Sequence, residues 1–161
     1  MRERYASGLD DNTAQQMTDL LNANLANVID LTLDGKQCHW NLQGQGFIGV
    51  HQLLDETTDR LREISDTIAE RIVILGGQPN GLTSRVAKDS ILADYPTDIT
   101  EVSQHVRELT NRYKQVAETL RKAIETAGEA GDEDTADLFT EASRIIDKDA
   151  WFIGANAPKS T

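Results

Sequence analysis

The chain has 161 residues, 39% of them apolar, and a formal net charge of −11; this is the size of one domain with a core of its own. No apolar run approaches the ~18 residues that a membrane-spanning helix needs. So acidic a chain is also a poor partner for phosphate backbones, which call for clustered Lys and Arg. The single cysteine, Cys38, excludes an internal disulfide framework, and the opening MRERYASGLDD lacks the apolar stretch of a secretory signal; both fit a reducing, cytoplasmic setting.

Residues 1–11 read as a short flexible tail on a single domain spanning 1–161. Beyond it, helical periodicity dominates. Met17, Leu21, Asn24, Val28, Leu31, Gly35 and Cys38 recur at steps of 4 and 3 and predict a helix over about 12–42. After QGQG at 43–46, Val50, Leu54, Leu61, Ile64, Ile68, Ile72 and Leu75 define a second helix over about 47–75. GGQPNG at 76–81 opens a long connection, in which RVAKDSILADY is a candidate short helix. Ile99, Val102, Val106, Leu109, Tyr113, Val116, Leu120, Ala123 and Ala127 give a third long helix over about 98–127. Leu138, Ala142, Ile145 and Phe152 mark a fourth over about 132–154. Cys38 falls among helical residues and reads as a buried small hydrophobe. Two short connections join antiparallel neighbours, and one long connection lets the third helix restart at the opposite end. The expectation is an all-α, ferritin-like four-helix bundle with a short extra helix between the second and third long helices.

The stretch KQCHWNLQGQGFIGVHQLLD, residues 36–55, holds two of the three histidines and one of the two tryptophans. On a helical wheel of about 100° per residue with His51 at zero, the apolar stripe of the second helix falls within roughly 220–300°, whereas Asp55, Asp66 and Glu70 fall near 40°, 60° and 100°. His51 and three carboxylates thus share a face turned away from the core, where charges alone would read as a solvated surface. A bundle that binds iron in its own core uses Glu-x-x-His pairs, and no Glu stands three residues before any His here. The hairpin brings His39 beside His51 and Asp55, but Asp66 lies 15 residues beyond His51, roughly 22 Å along the helix. A second subunit packed antiparallel about a two-fold axis near residue 60 would bring its Asp66 and Glu70 to the first subunit's His51 and Asp55, making two identical sites per dimer. Imidazoles mixed with carboxylates suit a divalent metal that hardens on oxidation, as iron does; zinc is the inorganic competitor.

KQCHWNLQGQGFIGVHQLLDE, DTIAERIVILGGQPNG, ADYPTDI and GDEDTADLFTEASRIIDKDAWFIGAN together resemble the Dps family, the mini-ferritins named as DNA-binding proteins from starved cells, over nearly the whole chain from about Thr18 to Asn156. The resemblance implies a hollow dodecamer with ferroxidase sites at the two-fold interfaces. It also implies hydrogen peroxide as preferred oxidant of Fe(II) and a ferric mineral stored inside, protecting the cell and its DNA from oxidative damage. Matched by position, the family's metal ligands are His39, His51 and Asp55 of one subunit with Asp66 and Glu70 of its neighbour. Trp40 matches the tryptophan beside the site, which the family is thought to use as an electron or radical sink. Trp151 also matches and reads mainly as packing, while His105 reads as a surface or locally hydrogen-bonded residue.

The alternative is a structural protein that compacts DNA without iron chemistry. Its support is thin: Arg2 and Arg4 are offset by Glu3, Asp10 and Asp11, and NAPKST adds one Lys at the other end. Two further expectations concern assembly. Asp59 and Arg62 straddle residue 60 on the site-bearing face, so an Asp59–Arg62 pair should form between subunits. Asp132, Asp137 and Glu141 in GDEDTADLFTEA are candidates to line an acidic channel for Fe(II) at a three-fold axis, since a cleft of one charge concentrates the opposite ion. Helix-dipole complementarity accounts for Asp132, Glu133 and Asp134 in the first turn, but not for Asp137 and Glu141 further in.

Overall fold

The computed structural model describes residues 3–158. Five helices follow in order: α1 (Asp11–Asn41), α2 (Phe47–Ile74), α3 (Thr83–Asp89), α4 (Val102–Glu129) and α5 (Glu133–Gly154). The four long ones form the bundle, and the fold is the expected all-α one. The starts of α1, α4 and α5 are specified locally. Asp10 accepts the Thr13 amide at α1 and Asp132 accepts the Thr135 amide at α5; a Glu101–Gln104 capping box opens α4. Each cap satisfies amides that a first helical turn leaves free.

The connections give the topology its order. Gly46, with φ at 82°, makes the left-handed turn from α1 into α2. The following connection runs the length of the bundle, and its far end is tied back to the α1–α2 turn: the Gln43 amide donates to the Thr100 carbonyl and the Val102 amide to the Gln43 carbonyl. That tie moves the start of α4 from the expected 98 to Val102. The short helix is also shorter than its apolar pattern, ending at Asp89. Beyond it the backbone is held extended by side chains, with the Ile91 amide on Asn27 and the Ala93 and Asp94 carbonyls on Arg112.

The stripes read from α1 and α2 are buried as drawn, as is that of α4 from Val102 onward. In α5 the buried face is Phe139, Ala142, Ser143, Ile146, Asp149, Ala150 and Ile153, and Leu138, Ile145 and Phe152 are only half-buried. The stripe is displaced because polar residues stand on it. Asp149 is fully buried and accepts a two-pronged bond from Arg60 of α2 at 2.7–3.1 Å, which supplies the partner a buried carboxylate requires. Gly35 sets the closeness of the hairpin: a Cβ there would stand 2.7 Å from a Thr58 methyl. Residues 3–10 are not a loose tail, for the Tyr5 and Ala6 amides donate to the Ile74 carbonyl and Arg4 pairs with Asp11 at 3.0 Å.

Candidate metal centre

His39 stands in the last turn of α1 and His51 in the second turn of α2, and the Gly46 turn folds one onto the other. Their rings stack at 3.6 Å between centroids with 19° between planes. Each holds the other by the backbone: His39 Nδ1 lies 2.8 Å from the His51 carbonyl and His51 Nδ1 lies 3.0 Å from the His39 carbonyl. A carbonyl oxygen only accepts, so both Nδ1 atoms carry hydrogen, and in the neutral ring each Nε2 is left with a lone pair. The His39 carbonyl belongs to the last turn of α1, where carbonyls lack helical partners. The bond that satisfies it also fixes the tautomer of His51, the kind of support that a metal-binding imidazole would require.

Asp55 stands one turn beyond His51. Its carboxylate accepts from Lys36 Nζ at 2.6 Å and lies 3.6 Å from His39 Nδ1. The Lys36 hydrogen bond, with smaller help from the imidazoles, holds the Asp55 carboxyl below its ordinary range. Lys36 is the site residue that the sequence reading missed. Its signal was its place three residues before His39, on the same side of α1. Asp66 and Glu70 are exposed and, among the described residues, join no ion pair. Among those residues no three His, Cys, Asp or Glu side chains of one chain converge where a metal ion could sit. One chain stacks His39 on His51 and sets Asp55 beside His39, short of a three-residue metal cluster, and leaves Asp66 and Glu70 apart. Around the two halves lies apolar surface unusual for a solvated face. Trp40 is 69% exposed, Leu33 and Ile48 more than half exposed, and Asp66 borders a groove with Leu25, Ile29, Leu33 and Ala69.

The model of the ferritin-like domain matches residues 18–158. The chain is 46% identical over 153 residues to a DNA protection during starvation protein of Agrobacterium fabrum, covering 95% of this chain and 94% of that one. It is 36% identical over 149 residues to the protein of that name from Mycolicibacterium smegmatis, covering 92% and 81%. Its fold superposes on a tetragonal crystal form of Mycobacterium smegmatis Dps with a TM-score of 0.93 at 34% identity, covering 99% of this chain and 96% of that one. The chain belongs to the Dps family.

The remaining expectations for this Dps-family chain fare unevenly. Asp59 and Arg62 meet within α2 at 2.6 Å, both exposed, so the charge offset expected between subunits is available inside each chain. Asp132 is unsuited to a channel wall. It is 3% exposed, caps α5 through Thr135 and accepts from Arg71 at 2.7 Å, so its charge is already answered. Asp137 and Glu141 are exposed on α5. Trp151 is not a packing residue within the chain: it is 68% exposed and leans on Phe152 at 5.0 Å. Of the two readings of His105, the local hydrogen bond is the one observed: it is buried and bonds Tyr95 at 2.9 Å. Cys38 is buried as expected, which pushes its thiol up to about 12. No helix among the described residues is long and apolar enough to cross a membrane. Arg2 and the lysine of NAPKST lie outside the described residues, and Arg4 is taken by Asp11.

Proposed function

We propose that this chain is the subunit of an iron-oxidising and iron-storing shell, a dodecamer in which each two-fold interface carries two ferroxidase sites. The observation that carries this reading is the reciprocal His39–His51 pair, which leaves both Nε2 lone pairs free, with the Asp55 carboxylate 3.6 Å from His39 Nδ1. Asp66 and Glu70 of a neighbouring copy would complete the ligand set. Iron is the substrate, and its fit rests on donor chemistry: imidazole suits Fe(II), while carboxylates gain in affinity as the ion becomes Fe(III). Two Fe(II) ions give one electron each to hydrogen peroxide, which takes up two protons and leaves as two waters, so no hydroxyl radical is released. Oxygen is the slower oxidant in this reading and zinc a competitor for the ligands. Asp137 with Glu141 remains the proposed acidic approach for Fe(II). The function that results is protection of a cytoplasm, and the DNA in it, from iron and peroxide together.

The test is anaerobic Fe(II) titration of the assembled protein followed by one addition of hydrogen peroxide, with Fe(III) absorbance as the readout. A rapid rise in the wild type, abolished in His39→Ala and in Asp66→Ala, supports the reading; a rise of equal rate in both variants refutes it.

A further inference from the structure

Between α1, α4 and the segment after α3 lies a buried group of side chains that the ferroxidase reading does not use. Tyr95, in the extended segment after α3, places its hydroxyl 2.9 Å from Nδ1 of His105 on α4. The two rings lie nearly parallel, 12° apart with centroids at 5.8 Å. Arg112, itself buried and bonded to Asp34, covers the Tyr95 ring at 4.9 Å. Cys38, the residue that precedes His39, is the other side chain that the Tyr95 hydroxyl faces. Burial holds His105 below its ordinary pKa, which favours the neutral ring. Nε2 has no hydrogen-bond partner, and in the tautomer with its hydrogen on Nε2 the Nδ1 lone pair is a base aimed at the phenol. Of the three tyrosines, only Tyr95 has an imidazole. Tyr113 is buried with its hydroxyl unpartnered, and Tyr5 is exposed beside Glu3.

A buried phenol is hard to ionise and hard to oxidise as such, because either change alone leaves a charge in a poorly solvated place. A base within hydrogen-bond distance removes that obstacle, since the proton shifts as the electron leaves. We infer that Tyr95 and His105 form a proton-coupled redox pair that captures one-electron oxidising equivalents escaping the metal centre. The step balances. A hydroxyl radical, formed when a single Fe(II) reduces hydrogen peroxide, takes one electron and becomes hydroxide. Tyr95 loses that electron and becomes a neutral tyrosyl radical, and its phenolic proton passes to His105 Nδ1. A later Fe(II) returns the electron and the imidazolium returns the proton. The contiguous run His39, Cys38, Tyr95 supplies the short path, and Arg112 over the ring keeps the resulting radical enclosed.

This inference rests on the ferroxidase reading, and its test separates the two. Assembled protein loaded with substoichiometric Fe(II) is mixed with hydrogen peroxide, frozen within milliseconds and examined by electron paramagnetic resonance, with Fe(III) absorbance read on the same mixture. The expected result is a tyrosyl signal in the wild type and in Tyr5→Phe and Tyr113→Phe, reduced at least several-fold in Tyr95→Phe and in His105→Gln, where the ring is kept but the base is lost. Slower radical formation in deuterated solvent is expected because a proton moves with the electron; a merely structural hydrogen bond would give none. If no Fe(III) forms, the metal-centre reading fails, and the pair is read instead by flash oxidation of iron-free protein with a photogenerated one-electron oxidant, scored by the same variants. A tyrosyl signal of unchanged size in Tyr95→Phe, or no such signal in the wild type by either route, overturns the proposal.

Discussion

The two ends of the outward face of α2 contain the same kind of chemistry in opposite states of readiness. At the end near the Gly46 turn, His39 and His51 hold one another through both backbones, and Asp55 has a cation already seated on it. Some four turns away, Asp66 and Glu70 stand exposed, with no ion pair among the described residues and an apolar groove beside them. Fixed tautomers and fixed rings belong to a site organised before its ligand arrives, where affinity is not lost to ordering side chains. Unpaired carboxylates beside apolar surface are what an interaction face offers. In the proposed reading, one chain provides half of a site at each of two places, and a symmetry-related copy would join the halves.

Damage to either end should therefore slow oxidation, but not by equal amounts. His51→Ala deletes one ligand and also the donor that satisfies the His39 carbonyl, so it should slow Fe(II) oxidation by about 100-fold or more; Glu70→Ala deletes one carboxylate from an end with no such interlock and should cost about 10-fold. Stopped-flow absorbance ranks them, and an order in which Glu70→Ala is the more damaging breaks the contrast. The next effect is on the scaffold under the histidines. Gly35→Ala puts a methyl 2.7 Å from Thr58, wedging α1 from α2, and should destabilise the subunit by about 1–3 kcal/mol as overpacked cores do. Thermal unfolding measures that, and a melting temperature equal to wild type means that the close approach is not needed.

Smaller effects probe the electrostatics of each end. Asp137→Asn should slow iron uptake a few-fold while leaving oxidation at pre-loaded sites unchanged, because steering by charge acts on entry alone; the same rate in both assays as in wild type removes the channel. Lys36→Met frees Asp55 from its internal cation and should tighten Fe(II) binding by up to about five-fold at low salt, the scale of an exposed ion pair. Anaerobic titration calorimetry reads it, and weaker binding would show that Lys36 helps to hold the carboxylate for the metal instead of competing with it.

Much of this was legible before any coordinates. The apolar stripes of α1, α2 and α4 have clean helical periods, and those faces are buried as drawn. The wheel of α2 separated His51, Asp55, Asp66 and Glu70 from the core because a helix of that length leaves little doubt about its faces. Periodicity does not show where polar residues hold the structure together. Asp149 sits on the core stripe of α5 because Arg60 reaches it across the bundle, a pairing of residues 89 positions apart that no local pattern announces. Asp132 looked like channel material because its role as cap and as partner of Arg71 depends on where α2 ends relative to α5. For His105 the local hydrogen bond was legible but its burial was not, because its partner, Tyr95, comes from an extended segment whose course is set by Arg112 and Asn27, not by periodicity.

The claim that one site is shared by two copies is tested most directly by subunit complementation. His51→Ala and Asp66→Ala are each inactive in this account. When the two are unfolded together in equal amounts and reassembled, about half of the two-fold pairs should be mixed, and each mixed pair carries both lesions in one site and neither in the other. Peroxide-driven Fe(II) oxidation should then return to about a quarter of the wild-type rate, although neither parent has any. A mixture no more active than its parents, in particles that have demonstrably exchanged subunits, would contradict the shared site.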